Sequence, residues 1–164
     1  VDVSVQLDDS LNAKLNEFAA AMGLCNLELV TDAIARRGEQ VRRYRERLGN
    51  LRGLRLMDYD RMVREGIRTN YAYMPLEVDD AQCGFTRDEL FDALAEKQVF
   101  TRKYFYPLVT DYECYASIYG NADIPVARSA ARNTLTLPIS GTTTLEEIDY
   151  VCDGIAELHE KRNR

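Results

Sequence analysis

The sequence predicts an α+β fold in which long helices precede a small antiparallel sheet that is covered by further helices. Three patterns carry that reading. Apolar residues recur at helical spacing through most of the first 50 positions. Residues alternate in the manner of strands near 54–59, 71–78 and 99–106. Thr-x-x-Glu signatures, at Thr86 and at Thr143 or Thr144, open helices further along. The resulting order is helix, helix, strand, strand, helix, strand, short helices, terminal helix, and it divides into a helical arm, residues 1–50, and an α+β part, residues 51–164.

Val1, Val3, Val5 and Leu7 alternate with polar residues, as in a half-buried strand or an extended lead-in, and Asp8, Asp9 and Ser10 then offer N-caps. Leu11, Leu15, Phe18 and Met22 form one apolar stripe, with Ala19, Ala20 and Ala21 beside it. Gly23 and Asn26 predict a kink or short break. A second, longer helix follows, its seam at Leu27, Ile34, Val41 and Leu48 with Val30 and Tyr44 between. So long an apolar stripe needs a partner surface, which a helical dimer contact or a further domain would supply.

Between residues 36 and 55 eight Arg stand against Glu39 and Glu46. The whole chain has 21 Lys and Arg against 27 Asp and Glu, a formal charge of −6, and no aromatic platform is interleaved with the Arg run. The run therefore reads as a solvated face, and a general affinity for nucleic acid or anionic membranes is disfavoured.

Gly49, Asn50 and Gly53 end the helix, and Leu54 to Tyr59 is a short strand followed by a polar stretch, residues 60–69. Tyr71 to Val78 alternates as a strand in which Pro75 predicts an edge or a bulge. Thr86 and Glu89 make a capping box, flanked by Phe85 and Leu90 as a hydrophobic staple, so a helix runs from there to about Lys97 and buries Leu90, Phe91, Leu94 and Ala95. Val99 to Tyr106 is rich in strand formers. Phe100, Arg102, Tyr104 and Tyr106 fall on one face, Thr101, Lys103 and Phe105 on the other, a mixture that core packing does not explain and that marks a candidate site wall. Short helices are expected around Tyr115 and over Val126 to Arg132, then an extended link, Thr134 to Pro138. The last helix opens at Thr143 or Thr144 and buries Leu145, Ile148, Val151, Cys152, Ile155 and Leu158.

With 164 residues, 46% of them apolar, the chain suits a globular fold and not a disordered one. No apolar run is seen to approach the roughly 18 residues of a membrane helix, and no leader is visible, so a cytoplasmic chain is expected. Val1 in place of Met suggests a processed or excised piece. Cys25, Cys83, Cys114 and Cys152 lie far apart beside a single His159, which argues against zinc and for buried small hydrophobes. Phosphate-loop, nucleophile-elbow and metalloprotease motifs are absent. His159 falls in a polar tail, and the pairs Asp79–Asp80 and Glu146–Glu147 suit loops and helix N-termini. Lys14, Lys97, Lys103 and Lys161 all stand in polar settings, unlike the desolvated lysine of an imine-forming site.

Several blocks together carry a resemblance. They are the stretch from Leu11 to Leu24, the Arg-rich helix ending Arg43-Tyr-Arg-Glu-Arg-Leu48, Asn70-Tyr-Ala-Tyr-Met-Pro75, Thr101-Arg-Lys-Tyr-Phe-Tyr-Pro107, Asp111-Tyr-Glu-Cys-Tyr115 and Leu135-Thr-Leu-Pro138. In this order they resemble the C-terminal blocks of the DegT/DnrJ/EryC1/StrS family of pyridoxal-phosphate-dependent sugar aminotransferases. The resemblance implies interface helices and the small domain of a fold type I aminotransferase, with the catalytic large domain and its aldimine lysine outside this chain. It implies a homodimer that takes a nucleotide-linked keto-deoxy sugar, of the dTDP-4-keto-6-deoxyhexose kind, with glutamate as amino donor. Asn12 matches the asparagine that reaches the neighbouring subunit's cofactor phosphate, and Lys14 a basic position near the phosphate or the nucleotide diphosphate. Tyr104 and Phe105 match a block lining the sugar-nucleotide entrance. A dehydratase relative, and a dimerisation or regulatory module without catalysis, are the alternatives.

Overall fold

The computed structural model describes residues 15–163, in two compact units that divide between Asp32 and Ala33. Helix α1 runs unbroken from Glu17 to Leu48. It starts after Asn16, whose Oδ1 accepts the Ala19 N–H at 2.8 Å as an N-cap does. Leu15 therefore precedes the helix instead of lying on its stripe, and Leu11, the lead-in at 1–7 and the caps at 8–10 lie outside the described residues. The expected break at Gly23 and Asn26 is absent. Each costs about 1 kcal/mol or less in a helix interior, and once a helix is nucleated every added residue needs only one more hydrogen bond.

In the first unit Phe18, Met22, Leu24, Leu27, Leu29 and Val30 are exposed. An 18-residue stretch of α1 has a mean hydropathy of 1.4, so the helix is long and apolar enough to cross a membrane, against the expectation that no run would be. The same helix carries Glu28, Asp32 and the start of the Arg run, charges that are costly at a bilayer centre.

In the second unit the elements after α1 are β1 (Leu54–Leu56), α2 (Tyr59–Arg64), β2 (Met74–Val78), α3 (Asp80–Cys83), α4 (Arg87–Glu96), β3 (Arg102–Lys103), a 3-10 turn (Val109–Asp111), α5 (Glu113–Tyr119), α6 (Pro125–Asn133), β4 (Thr134–Leu137) and α7 (Leu145–Arg162). The sheet order is β1-β2-β4-β3, antiparallel throughout. Helices and a small antiparallel sheet are the expected α+β class.

Several elements depart from the sequence reading. The extended link is an inner strand, β4, in which Leu135 and Leu137 are buried while Thr134 and Thr136 are half-buried. Four residues are too few for their period to stand out, and pairing on both sides makes the strand. The polar stretch contains α2, capped by Asp58, whose side chain accepts from the Arg61 N–H at 2.9 Å. Pro75 sits in an inner strand, not at an edge. Its carbonyl accepts from the Met57 N–H at 3.3 Å, just past the end of β1, so its missing N–H falls where the β1–β2 ladder has already ended. Of the run Val99–Tyr106 only two residues pair as β3.

The core lies on one face of the sheet. Met74, Leu76, Val78, Leu135 and Leu137 meet Leu90 and Leu94 of α4, Ile148, Val151, Cys152 and Ile155 of α7, and Val41, Tyr44 and Leu48 from the last turns of α1. Both capping boxes form, at Thr86 and at Thr144. Phe85 and Leu90 are both buried, as the staple requires. Leu145, expected to be buried, is exposed as the first residue of α7, and Leu158 is half-buried. Cys83 and Cys152 are buried as expected, and burial pushes their thiols up to about 11 and about 12, but Cys25 and Cys114 are exposed. Both exposed cysteines lie on helix faces with no core beneath them.

The Arg run is divided: Arg36, Arg42, Arg52 and Arg55 are exposed, as a solvated face requires, while Arg43, Arg45 and Arg47 are half-buried and paired. Arg43 forks onto Asp149 of α7 through Nε at 2.7 Å and Nη2 at 2.8 Å, Arg47 adds Nη1 at 2.7 Å and also pairs with Asp153, and Arg45 lies against Asp58 and Asp60. The hydrogen bond from Arg43 holds the Asp149 carboxyl below its ordinary range, with Arg47 adding to the effect. A depressed folded pKa supplies stability above the unfolded value of about 3.9, and that stability is lost as pH falls through the folded value. Melting followed by circular dichroism is expected to decline as the pH drops below about 4. Asp149→Asn should melt below the parent at neutral pH and lose part of that decline; identical profiles would show that the pair contributes nothing.

Candidate functional site

The segment singled out as a site wall departs from strand geometry directly after Lys103. Tyr73, just before β2, and Tyr104, in the turn just after β3, bring their rings together with centroids 5.1 Å apart, although the register of the two strands on β4 sets the two residues towards opposite ends of it. The Phe105 ring packs on Tyr104 at 4.2 Å, although strict alternation would have set the two on opposite faces. Tyr106 lies over the Arg87 guanidinium, 5.3 Å from Cζ to ring centroid. Tyr73, Phe105 and Tyr106 are exposed, Phe105 at 72%, and Tyr104 is half-buried between them.

The approach to β2 is braced from below. The Tyr59 hydroxyl donates to the Tyr73 carbonyl, and the Tyr59 and Tyr71 rings meet edge-on at 5.1 Å. Tyr71 adopts a φ of 49°, unusual for a residue with a Cβ, and is held there by neighbours: Thr69 Oγ1 accepts its N–H at 3.2 Å and Asn70 Oδ1 accepts the Ala72 N–H at 3.0 Å. Gly38 of α1 gives the Tyr71 ring room, since a Cβ there would stand 3.2 Å from Cε2.

Between these pieces lies a cavity of about 280 Å³ lined by Ala72, Tyr73, Phe100, Arg102, Tyr104 and Thr136, among others. A hydrogen bond with Tyr73 raises the pKa of the Tyr104 hydroxyl, and the charge of Arg102 only partly opposes it. The wall thus presents the protonated phenol of Tyr104, aromatic faces and a guanidinium. Such a surface can pack on and hydrogen-bond a ligand that combines a ring with polar groups, but it supplies no nucleophile. Among the described residues no cluster of His, Cys, Asp or Glu could hold a metal ion.

Of the residues expected at the site, Tyr104 and Phe105 are thus neighbours on one wall, while Asn12 and Lys14 lie outside the described residues. His159 is half-buried, its Nε2 is 2.9 Å from the Arg52 carbonyl oxygen, and its ring meets Phe85 edge-on, a packing role. Sequence reasoning missed Tyr73, taken only as the outer face of a strand, and Arg87, taken only as part of a helix start. Arg87 did carry a signal: a basic side chain in the first turn of a helix opposes the helix dipole.

Comparison with known proteins places these observations. The profile of the DegT/DnrJ/EryC1/StrS aminotransferase family matches residues 6–156. The chain is 29% identical over 148 residues to a dTDP-4-amino-4,6-dideoxy-D-glucose transaminase of Shigella dysenteriae, covering 90% of this chain and 39% of that enzyme. An Escherichia coli enzyme of the same description is 31% identical over 133 residues, 79% of this chain and 34% of its own length. Among solved structures, DesI in the presence of its TDP-sugar product matches with a TM-score of 0.79 and 32% identity over 93% of this chain and 38% of DesI. An aminotransferase from Psychrobacter cryohalolentis, at 15% identity, shares the fold with a TM-score of 0.82. The chain spans less than two fifths of the length of the curated relatives described here.

Proposed function

This chain belongs to the DegT/DnrJ/EryC1/StrS aminotransferase family, and from that premise we propose that it is the C-terminal portion of a cytoplasmic enzyme that aminates a nucleotide-linked keto-deoxy sugar of the dTDP-4-keto-6-deoxyhexose class. The observation that carries this reading is the likeness to DesI, both in identity and in fold, over nearly the whole chain. In this reading the exposed face of α1 belongs to a homodimer, and Tyr104 and Phe105 wall the sugar-nucleotide entrance of the neighbouring subunit. Asn12 donates to the cofactor phosphate across that dimer, and Lys14 approaches the phosphates.

The family's cofactor is pyridoxal phosphate, which when bound would supply an aldehyde and an electron-withdrawing ring for moving the amino group. The described residues do not fit the imine-forming role. A lysine forms an imine through its neutral amine, whereas Lys97 is paired with Glu157 at 2.8 Å, which raises its pKa, and Lys103 with Asp88 at 2.7 Å. Lys161 is exposed in the last turn of α7. This chain's share of the work is to bind, orient and enclose.

Two measurements test the reading. The full-length protein, given pyridoxal phosphate, glutamate and a dTDP-4-keto-6-deoxyhexose, is expected to release the amino sugar, detected by mass. In that protein Asn12→Ala should weaken cofactor affinity roughly tenfold to a hundredfold, the value of one hydrogen bond to a charged group, with the melting temperature unchanged. Absence of the amino sugar sinks the proposal. An unchanged affinity removes only Asn12 from the site. The isolated chain with the cofactor is expected to give no borohydride-trappable band on a single lysine.

A further inference from the structure

The first residue of α4 is an arginine where the helix dipole favours an acid, and its side chain is 3% exposed. Its partners explain why it can stand there. Arg87 Nη1 donates to the carbonyls of Ala131 at 3.0 Å and Thr134 at 3.1 Å, where α6 ends and β4 begins. Nε donates to Asp88 at 2.7 Å, and the same Asp88 oxygen receives the Lys103 Nζ of β3 at 2.7 Å. The Lys103 ammonium in turn lies 4.7 Å from the centre of the Phe91 ring. The guanidinium carbon stands over the Tyr106 ring, 5.3 Å from its centroid. The side chain thus spends Nη1 and Nε on backbone carbonyls and Asp88 while its charge stands over an aromatic ring, a combination of separated donors that lysine cannot make.

The pair therefore touches the α6–β4 junction, strand β3 and the loop that follows β3. Apart from the packing of Tyr104 on Tyr73 and of Phe105 on Tyr104, that loop is lightly held, since β3 is two residues long and Phe105, Tyr106 and Pro107 are all exposed. We propose that Arg87 and Asp88 are positioning residues that fix the stance of residues 104–107, Arg87 through the ring of Tyr106 and Asp88 through Lys103. Their grip on the loop is a property of this chain alone. Only its consequence for substrate rests on the function proposed above, so the two ideas fail separately.

The test is the chain itself with isotope-labelled tyrosine, its ring resonances followed by NMR. In Arg87→Lys the Tyr104 and Tyr106 signals are expected to collapse towards the positions of an unstructured tyrosine, while those of Tyr44 and Tyr59 in the core stay in place. Asp88→Asn, at a carboxylate that is 59% exposed and so safe for folding, should move the same two signals in the same direction. Tyr106→Phe should leave the Tyr104 signal near its parent position, and Tyr106→Leu should not. Unmoved Tyr104 and Tyr106 signals in folded Arg87→Lys overturn the proposal. Should that variant not fold, unmoved signals in Asp88→Asn overturn it equally.

Discussion

Leu94→Ala is expected to lower the unfolding free energy by about 2–5 kcal/mol, the range for truncating a fully buried leucine. Leu94 has no exposed surface and stands where α4 crosses α7. The two helices approach closely because the facing residue is Gly154, at which a Cβ would lie 3.2 Å from Leu94 Cδ2 and 3.1 Å from Lys97 Cδ. So tight a seat leaves no side chain across the gap that could swing in and fill the space. The loss therefore belongs in the upper part of the range, and the cavity term adds to the lost transfer energy. Urea unfolding of parent and variant measures it. A loss below about 1 kcal/mol would mean that the helices close over the cavity, against the rigidity argued from Gly154.

The second large effect is expected at a buried amide. Gln40 of α1 is 2% exposed, and its Nε2 donates to the carbonyls of Ser140 and Thr143, each at 2.7 Å, while its Oε1 accepts the Ser140 N–H at 3.2 Å. One side chain therefore satisfies three backbone groups of the connection between β4 and α7 and holds that connection on α1. Next to it the Tyr44 hydroxyl donates to the Pro138 carbonyl at 2.8 Å, tying the same connection to the same helix. Gln40→Leu keeps the volume and orphans those groups, at a cost of about 2–4 kcal/mol. Gln40→Glu should be no better, because a carboxylate would face two carbonyl oxygens and could donate to them only when protonated. Equal stability of the parent and the Leu variant, measured in urea, would show that water replaces the amide at no cost.

Local chemistry was legible where a few neighbouring residues decide the outcome. Both capping boxes are such cases. The Thr86 hydroxyl and the Glu89 carboxylate satisfy each other's backbone within one turn, so no distant residue can change the result. The aromatic wall was also visible, because Arg, Lys and several rings mixed on both faces of one run make a poor core. Its shape was not. Tyr104 and Phe105 stack because the chain leaves the sheet after Lys103, and whether β3 continues depends on how far β4 extends beside it.

The sequence by itself determined the α+β class, the C-terminal end of α1, both ends of α4, the start of α7 to within one residue, and the family. Each of these rests on short-range periodicity, on capping, or on the order of several blocks read together. Tertiary structure alone decided that Thr134–Leu137 is an inner strand, that Pro75 sits harmlessly beside it, and that the Arg run of α1 closes on Asp149 and Asp153. It also decided that Tyr73 joins the wall and that Arg87 lies beneath it. The physical reason is the same in every case. A strand of four residues acquires its identity from hydrogen bonds to partners, and a charged side chain acquires its role from groups that the fold brings up from dozens of residues away, as Arg43 and Asp149 show across 106 positions.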